Sequence, residues 1–249
     1  MNQNQPKEYL FDHLVIIGRD RLQKIAHAFL DKGFQLTPIA HHNLGSINQL
    51  IMLDSAYIEL LGWEPDKPIQ RAEIANQAQG LDALVFRTND AEKTYQQLLE
   101  KGFEVNPVQN LSRESDFLGK SVLVQFKTVR FSKQPISGLR IYFCEHLSPQ
   151  YVWQEQWLKH PNQTSHLQKI MLASPDIEGD ANLLGQLLNL TEKRIITSGE
   201  SKQIILPNIE LNIQKAAHLS EARILSAQLS KNPADPVDLV IDSHFFQNL

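Results

Sequence analysis

One histidine, His13, lies inside an apolar run, Phe11-Asp12-His13-Leu14-Val15-Ile16, that recurs as Leu81-Asp82-Ala83-Leu84-Val85-Phe86. The apolar pattern is kept and the imidazole is not, so His13 reads as part of a site rather than as a packing position. On strand parity Glu59 shares a face with Tyr57 and Leu61, and His13 with Val15 and Ile17, leaving Leu14, Ile16, Ile58 and Leu60 on the reverse faces. Glu145 and His146 are neighbours, so alternation lets only one of them look the same way. Asn48 can donate to a substrate oxygen or serve as an ordinary strand amide. Arg113, in Leu111-Ser112-Arg113, offers a guanidinium that can clamp a carboxylate or stand as a solvated charge. His41 and His42 sit in a polar loop from which they can gate a site. Cys144, between Phe143 and Glu145, reads as a buried thiol rather than a nucleophile, and Trp63, Trp153 and Trp157 read as packing residues.

The elements that must position these groups follow from the repeat. Leu30-Asp31-Lys32-Gly33-Phe34-Gln35-Leu36-Thr37-Pro38 returns as Leu99-Glu100-Lys101-Gly102-Phe103-Glu104-Val105-Asn106-Pro107, and internal repetition constrains architecture before any motif does. In the first copy, 10–17 reads as a buried strand and 20–32 as a helix with apolar residues at helical spacing, stopped by Gly33. Short strands at 34–38, 47–53 and 56–61 complete a βαβββ unit, with a loop at 41–45. The second copy repeats it: strand 82–87, helix 90–101 capped by Asn89 or Asp90, and strands at 103–106, 120–129 and 139–145. The stretch 108–119 is polar and reads as a long loop. A Trp-rich connector, 149–163, precedes a third unit legible at 168–173, 177–190, 204–206 and 209–213, where Lys169 stands in the place of His13. Strand-like runs at 224–229 and 237–241 form a degenerate fourth. The expected fold class is α+β, with 8–148 as paired working units, 149–163 as connector and 164–249 as a degenerate second half.

The bulk numbers narrow the partners. The chain has 249 residues, a formal charge of -4 and one cysteine. No long basic run is present, which argues against nucleic acid, and a lone thiol excludes a disulfide framework or a cysteine-based zinc knuckle. The opening residues hold no apolar core of signal-peptide length, and no later run is long enough to cross a bilayer. The expectation is a soluble cytoplasmic protein with a small-molecule substrate or ligand, no membrane partner, and room for a homodimer.

The sequence resembles the vicinal oxygen chelate superfamily, in its glyoxalase-like branch. Asp12-His13-Leu14-Val15, Gly45-Ser46-Ile47-Asn48, Tyr57-Ile58-Glu59-Leu60-Leu61-Gly62, Phe143-Cys144-Glu145-His146, the stretch from Pro149 to Trp153 and His160-Pro161-Asn162 carry the likeness, which covers most of residues 8–190. The resemblance implies tandem βαβββ units curved into a mixed-sheet cup. It implies a divalent metal held by a first-strand histidine and a last-strand glutamate, the places of His13 and Glu59, with open positions for two vicinal substrate oxygens. If His146 faces inward, His13, Glu59 and His146 make a set suited to iron; if Glu145 does, one histidine and two carboxylates suit zinc, manganese or magnesium less selectively. Zinc, manganese, iron and nickel all remain open. Ala83 removes a ligand that a four-residue site of the glyoxalase I type requires, so a cup with no metal is the other outcome. Glu59 or Glu145 would shuttle the proton, and Asn48, Arg113 and His42 would contact the substrate at the cup mouth. The implied function is a metal-dependent lyase, isomerase or dioxygenase; the alternative is a metal-free binding protein of the bleomycin-resistance type.

Overall fold

The structure, a computed structural model, describes residues 8–43, 45–64 and 72–247; Leu44 of the expected loop and the opening residues lie outside them. The first repeat folds as β1 (Leu10–Arg19), α1 (Leu22–Asp31), β2 (Ala40–His41), β3 (Ile47–Met52) and β4 (Tyr57–Gly62). After a short α2 (Ala72–Ala75), the second gives β5 (Gly80–Thr88), α3 (Ala91–Glu100), β6 (Gln109–Phe117), β7 (Lys120–Arg130) and β8 (Arg140–His146). Leu22, Ile25, Ala26 and Phe29 form the buried stripe of α1, the spacing of one helical face. The Asp90 carboxylate caps α3 by accepting from the Lys93 amide at 2.9 Å.

These strands form one eight-stranded sheet in the order β2-β3-β4-β1-β5-β8-β7-β6. β1 and β5, the first strands of the two copies, pair antiparallel at its centre, and each pairs parallel with the last strand of its own copy, β4 or β8. The outer strands then meet: His42 bridges Arg113, and the Asn43 amide donates to the Ser112 carbonyl at 3.2 Å. The sheet is thereby curled into a nearly closed cup.

Three expectations are corrected. Residues 34–38 and 103–106 do not extend into strands: the first makes one ladder bond, Thr37 to Leu50, and the second only the pair Asn106 to Arg130 and Ser132 to Glu104, which leaves Val105 as an isolated bridge to Phe131, before a proline that has no amide to donate. Residues 109–117 are a strand, not a loop, paired with β7 from Gln109 opposite Thr128 to Phe117 opposite Lys120. Its polar composition is that of an edge strand with both faces wet over most of its length.

The third unit supplies β9 (His166–Ser174), α4 (Ile177–Leu187), β10 (Ile195–Ser198), β11 (Ser201–Ile205) and β12 (Glu210–Lys215). The tail adds β13 (Arg223–Ser230), β14 (Leu239–Asp242) and a short α5 (Ser243–Phe246). The six-stranded sheet β10-β11-β12-β9-β13-β14 repeats the centre of the first, since β9 pairs parallel with β12 and antiparallel with β13. No helix separates β13 from β14, so β14 returns antiparallel where β8 is parallel, as a connection too short for a crossover requires.

Two apolar clusters divide the side chains. Leu14, Ile16, Ile58 and Leu60 pack outward with α1, and the same cluster runs on into Leu167, Ile170 and Leu172 of β9, joining the two sheets. Val15, Ile17, Tyr57, Leu61, Ala83, Val85, Phe126, Tyr142 and Cys144 line the inside of the cup. Among the described residues no helix is long and apolar enough to cross a membrane.

Candidate metal centre

The inside of the cup is apolar except near its centre, where β1, β3, β4, β6, β7 and β8 bring polar groups to one cavity. Its volume is about 30 Å³, and His13, Asn48, Glu59, Arg113 and Tyr142 are among its walls. A space of that size admits about one water or ion.

His13 is oriented from behind. β1 carries a bulge against β5 between Phe11 and His13, and the extra residue, Asp12, turns its carboxylate to the His13 side. Asp12 is fully buried and accepts from Arg87 Nε at 2.6 Å, His13 Nδ1 at 2.7 Å and His146 Nε2 at 2.9 Å. An ionised carboxylate only accepts, so both imidazole nitrogens facing it carry protons. His13 Nε2 is left toward the cavity, 3.6 Å from Glu59 Oε2 and 3.2 Å from the Tyr142 hydroxyl. Its ring stacks on Tyr57 at 4.4 Å between centroids. A carboxylate behind a histidine is the arrangement that fixes the tautomer of a metal-binding imidazole.

Glu59 is held from β3. Asn48 Nδ2 donates to Glu59 Oε1 at 2.7 Å, which fixes the amide orientation and leaves Asn48 Oδ1 buried with no hydrogen-bond partner among the described residues. His42 supports Asn48, with Nε2 at 3.4 Å from Asn48 Nδ2 and Nδ1 at 2.9 Å from Ser46 Oγ. Burial on its own would raise the Glu59 carboxyl, but the hydrogen bond and charge of His13, then His42 and Asn48, hold it well below the usual range. Asp12 is depressed in the same way: burial opposes ionisation, and His146 and His13 overcome it. Burial pulls His13 down, yet Asp12 and Glu59 together push it above the ordinary imidazole value. The centre is thus an imidazole set between two ionised carboxylates.

The structure does not gather all the expected ligands. His146 faces the Asp12 side, with its ring 4.9 Å from Trp153 and 5.1 Å from Phe126, and it meets Asp12 rather than Glu59. Glu145 points the other way: its Oε2 accepts from the Ala91 amide at 2.9 Å, at the start of α3. That removes it from the cup and corrects its reading as a proton shuttle. The sheet register shows why. His13 lies opposite Tyr57 on β4, two residues before Glu59; Ala83 lies opposite Arg140 on β8, two residues before Tyr142. Tyr142, not Glu145, is the counterpart of Glu59, and its hydroxyl is the group that reaches His13. Asp12, Tyr142 and Arg87 were missed by sequence reasoning. Asp12 was hidden by parity, which the bulge breaks.

Arg113 is on β6 rather than on a loop, and only 5% exposed. Its guanidinium lies over the Phe126 ring at 5.9 Å. A second group that could hold an ion is Asp12, Cys144 and His146, whose ligand atoms lie within 4.8 Å of one another. Burial first, then the Asp12 and Glu59 charges, raise the Cys144 thiol well above its usual value, and both Asp12 oxygens are already engaged. The pair His13 and Glu59, with the unpartnered Asn48 Oδ1, is the better fit to a divalent ion: borderline and hard donors, one fixed tautomer, and an open cavity.

A cup closed from two βαβββ units, with a first-strand histidine facing a last-strand glutamate, defines a vicinal oxygen chelate protein. Within that class the chain belongs to the family described as "Glyoxalase-like domain", whose pattern it matches over residues 11–188. Among solved structures it is similar to a hypothetical protein from Staphylococcus aureus, at 17% identity and a TM-score of 0.70, covering 88% of this chain and 90% of that one. It is also similar to a mutant 4-hydroxymandelate synthase from Streptomyces coelicolor, at 13% identity and a TM-score of 0.50, covering 90% and 71%. A xylose isomerase-like TIM barrel/4-hydroxyphenylpyruvate dioxygenase fusion protein aligns at 12% identity and a TM-score of 0.54, over 92% of this chain and 38% of that one. At these identities the likeness is one of fold. No curated protein matches the sequence.

Proposed function

We propose that this protein is a metal-dependent enzyme of the glyoxalase-like type, acting on a small oxygenated molecule at a single centre in the first cup. The observation that carries this reading is His13 Nε2 at 3.6 Å from Glu59 Oε2, on a common cavity, with Nδ1 tied to buried Asp12. His13 and Glu59 would hold the ion, with Asn48 Oδ1 beside them; zinc, manganese, iron and nickel all suit such donors. A bound divalent ion supplies Lewis-acid polarisation of neighbouring substrate oxygens. The chain's own residues supply the rest. Glu59 is ionised and is the one carboxylate among the described residues on the cavity side of His13, which makes it the proton acceptor. Asp12 holds the imidazole, Asn48 holds Glu59, and the Tyr142 hydroxyl hydrogen-bonds at His13 Nε2. Asn48, Arg113 and His42 are the substrate contacts, and Phe126, Tyr57 and Leu50 exclude water. In this reading residues 8–148 form the working cup and 164–249 a half without a metal histidine, where Lys169 pairs with Glu210 at 3.0 Å. A cytoplasmic setting and a homodimer belong to the same reading.

Ala83 favours a second reading, a metal-free binding protein that uses the cup without turnover. Glu59→Gln separates the two. An enzyme keeps its ligand and loses turnover by about 100-fold or more, the scale of a lost general base; a binding protein shows nearly unchanged ligand affinity and no activity in either form.

A further inference from the structure

Among the described residues, Arg113 is a buried cation without a counterion. No hydrogen bond or ion pair joins its guanidinium to any described residue, and its side chain rests on the Phe126 ring. Burial disfavours its charge, and Tyr57 and Glu59 act on it only at longer range. A guanidinium held in this way is costly unless an anion meets it. Arg87 and Arg140 show the contrast within the same sheet, since each is hydrogen-bonded to an aspartate, Asp12 and Asp82 respectively.

The position of Arg113 says where that anion comes from. It lines the small cavity with His13 and Glu59, and it also lines an open groove of about 630 Å³ along the seam where 38–43 meets 112–116. The groove can take the body of a ligand, whereas the inner cavity of about 30 Å³ takes only a group of a few atoms. A planar fork of donors matches a carboxylate in two parallel hydrogen bonds. We infer that the substrate is a small carboxylate entering along the β2–β6 seam, whose carboxylate seats on Arg113 and whose neighbouring oxygenated carbon reaches the His13–Glu59 side. This rests on the reading of the cup as a ligand site and adds the class of ligand.

The test uses the full chain after chelator treatment, so that metal plays no part. Glycolate, acetate, inorganic phosphate and the neutral analogue glycolamide are titrated while amide resonances are followed by two-dimensional NMR. Glycolate should bind at least about 10-fold more tightly than glycolamide, and Arg113→Gln should remove that difference, as expected for charge-assisted bonds. Arg113→Lys should recover part of it, because the charge remains and the fork does not. Equal binding of glycolate and glycolamide to the wild-type protein overturns the inference even if the variants do not fold. So does unchanged glycolate affinity in folded Arg113→Gln, or phosphate binding more tightly than both carboxylates. Failure to bind metal would overturn the proposed enzyme and leave these results standing.

Discussion

Asp12→Asn probes the centre most severely while leaving its volume unchanged. The carboxylate accepts three hydrogen bonds, at 2.6, 2.7 and 2.9 Å, and Asp12 is 0% exposed. An asparagine has one acceptor oxygen. Arg87 cannot give up its proton, so the oxygen stays with Arg87 and the new amide nitrogen faces His13 Nδ1 and His146 Nε2, both donors. Each imidazole must move its proton to the other nitrogen or lose the contact. Three charge-assisted bonds at about 1.5–3 kcal/mol each set an upper bound. Arg87 is partly solvated, and the relieved desolvation of the carboxylate offsets part of the loss. Breaking one side of a buried ionic group costs about 3–5 kcal/mol, and that is the expected loss. Urea unfolding followed by tryptophan fluorescence measures it, with an unchanged denaturant slope showing that only stability moved. Nitrogen-15 shifts of His13 should report the proton transferred to Nε2, which blocks a metal. A loss under about 1 kcal/mol, with the His13 tautomer unchanged, would refute the role given to Asp12.

Further outcomes follow from the same groups and from the seam between the sheets. In chelated protein the depressed Asp12 and Glu59 contribute stability that is complete above their unfolded values of 3.8 and 4.5 and lost as pH falls through their folded values. The raised His13 contributes stability that is complete below 6.5 and lost as pH rises through its folded value. Unfolding free energy against pH should therefore peak between about pH 4.5 and 6.5; a maximum above pH 8 would contradict the charge arrangement. Gly138→Ala should cost about 2–4 kcal/mol, because φ is +83° and a Cβ would lie 2.1 Å from the Ala222 carbonyl oxygen. Gly102→Ala, with the same φ and no atom within 4 Å, should cost about 1 kcal/mol by thermal unfolding; equal costs would show that the Ala222 approach does not matter.

The sequence and the structure part at identifiable physical points. The repeat and its helical and strand periods were enough to place β1, α1, β3, β4, β5, α3, β7 and β8 within a few residues, because each buries a continuous apolar face. Parity was enough to put His13, Val15 and Ile17 on one side of β1 and Leu14 and Ile16 on the other. β6 was illegible because only Arg113 along it is fully buried, so no alternation of apolar residues marks it. Asp12 was illegible because a bulge changes the face of a residue without changing its type. Glu145 is the acid at the end of the second copy, but the register that makes Tyr142 the counterpart of Glu59 exists only once β5 and β8 are paired.

Metal content tests the central claim most directly. Protein purified without chelator should carry about one divalent ion per chain by inductively coupled plasma mass spectrometry. After removal, calorimetry should show one site whose affinity rises with pH as His13 releases its proton. His13→Ala and Glu59→Gln should each weaken that site by at least about 10-fold, while Cys144→Ser should leave it intact. No bound ion and no rebinding in the wild-type protein, or a full equivalent retained by His13→Ala, would contradict a metal centre built on His13 and Glu59.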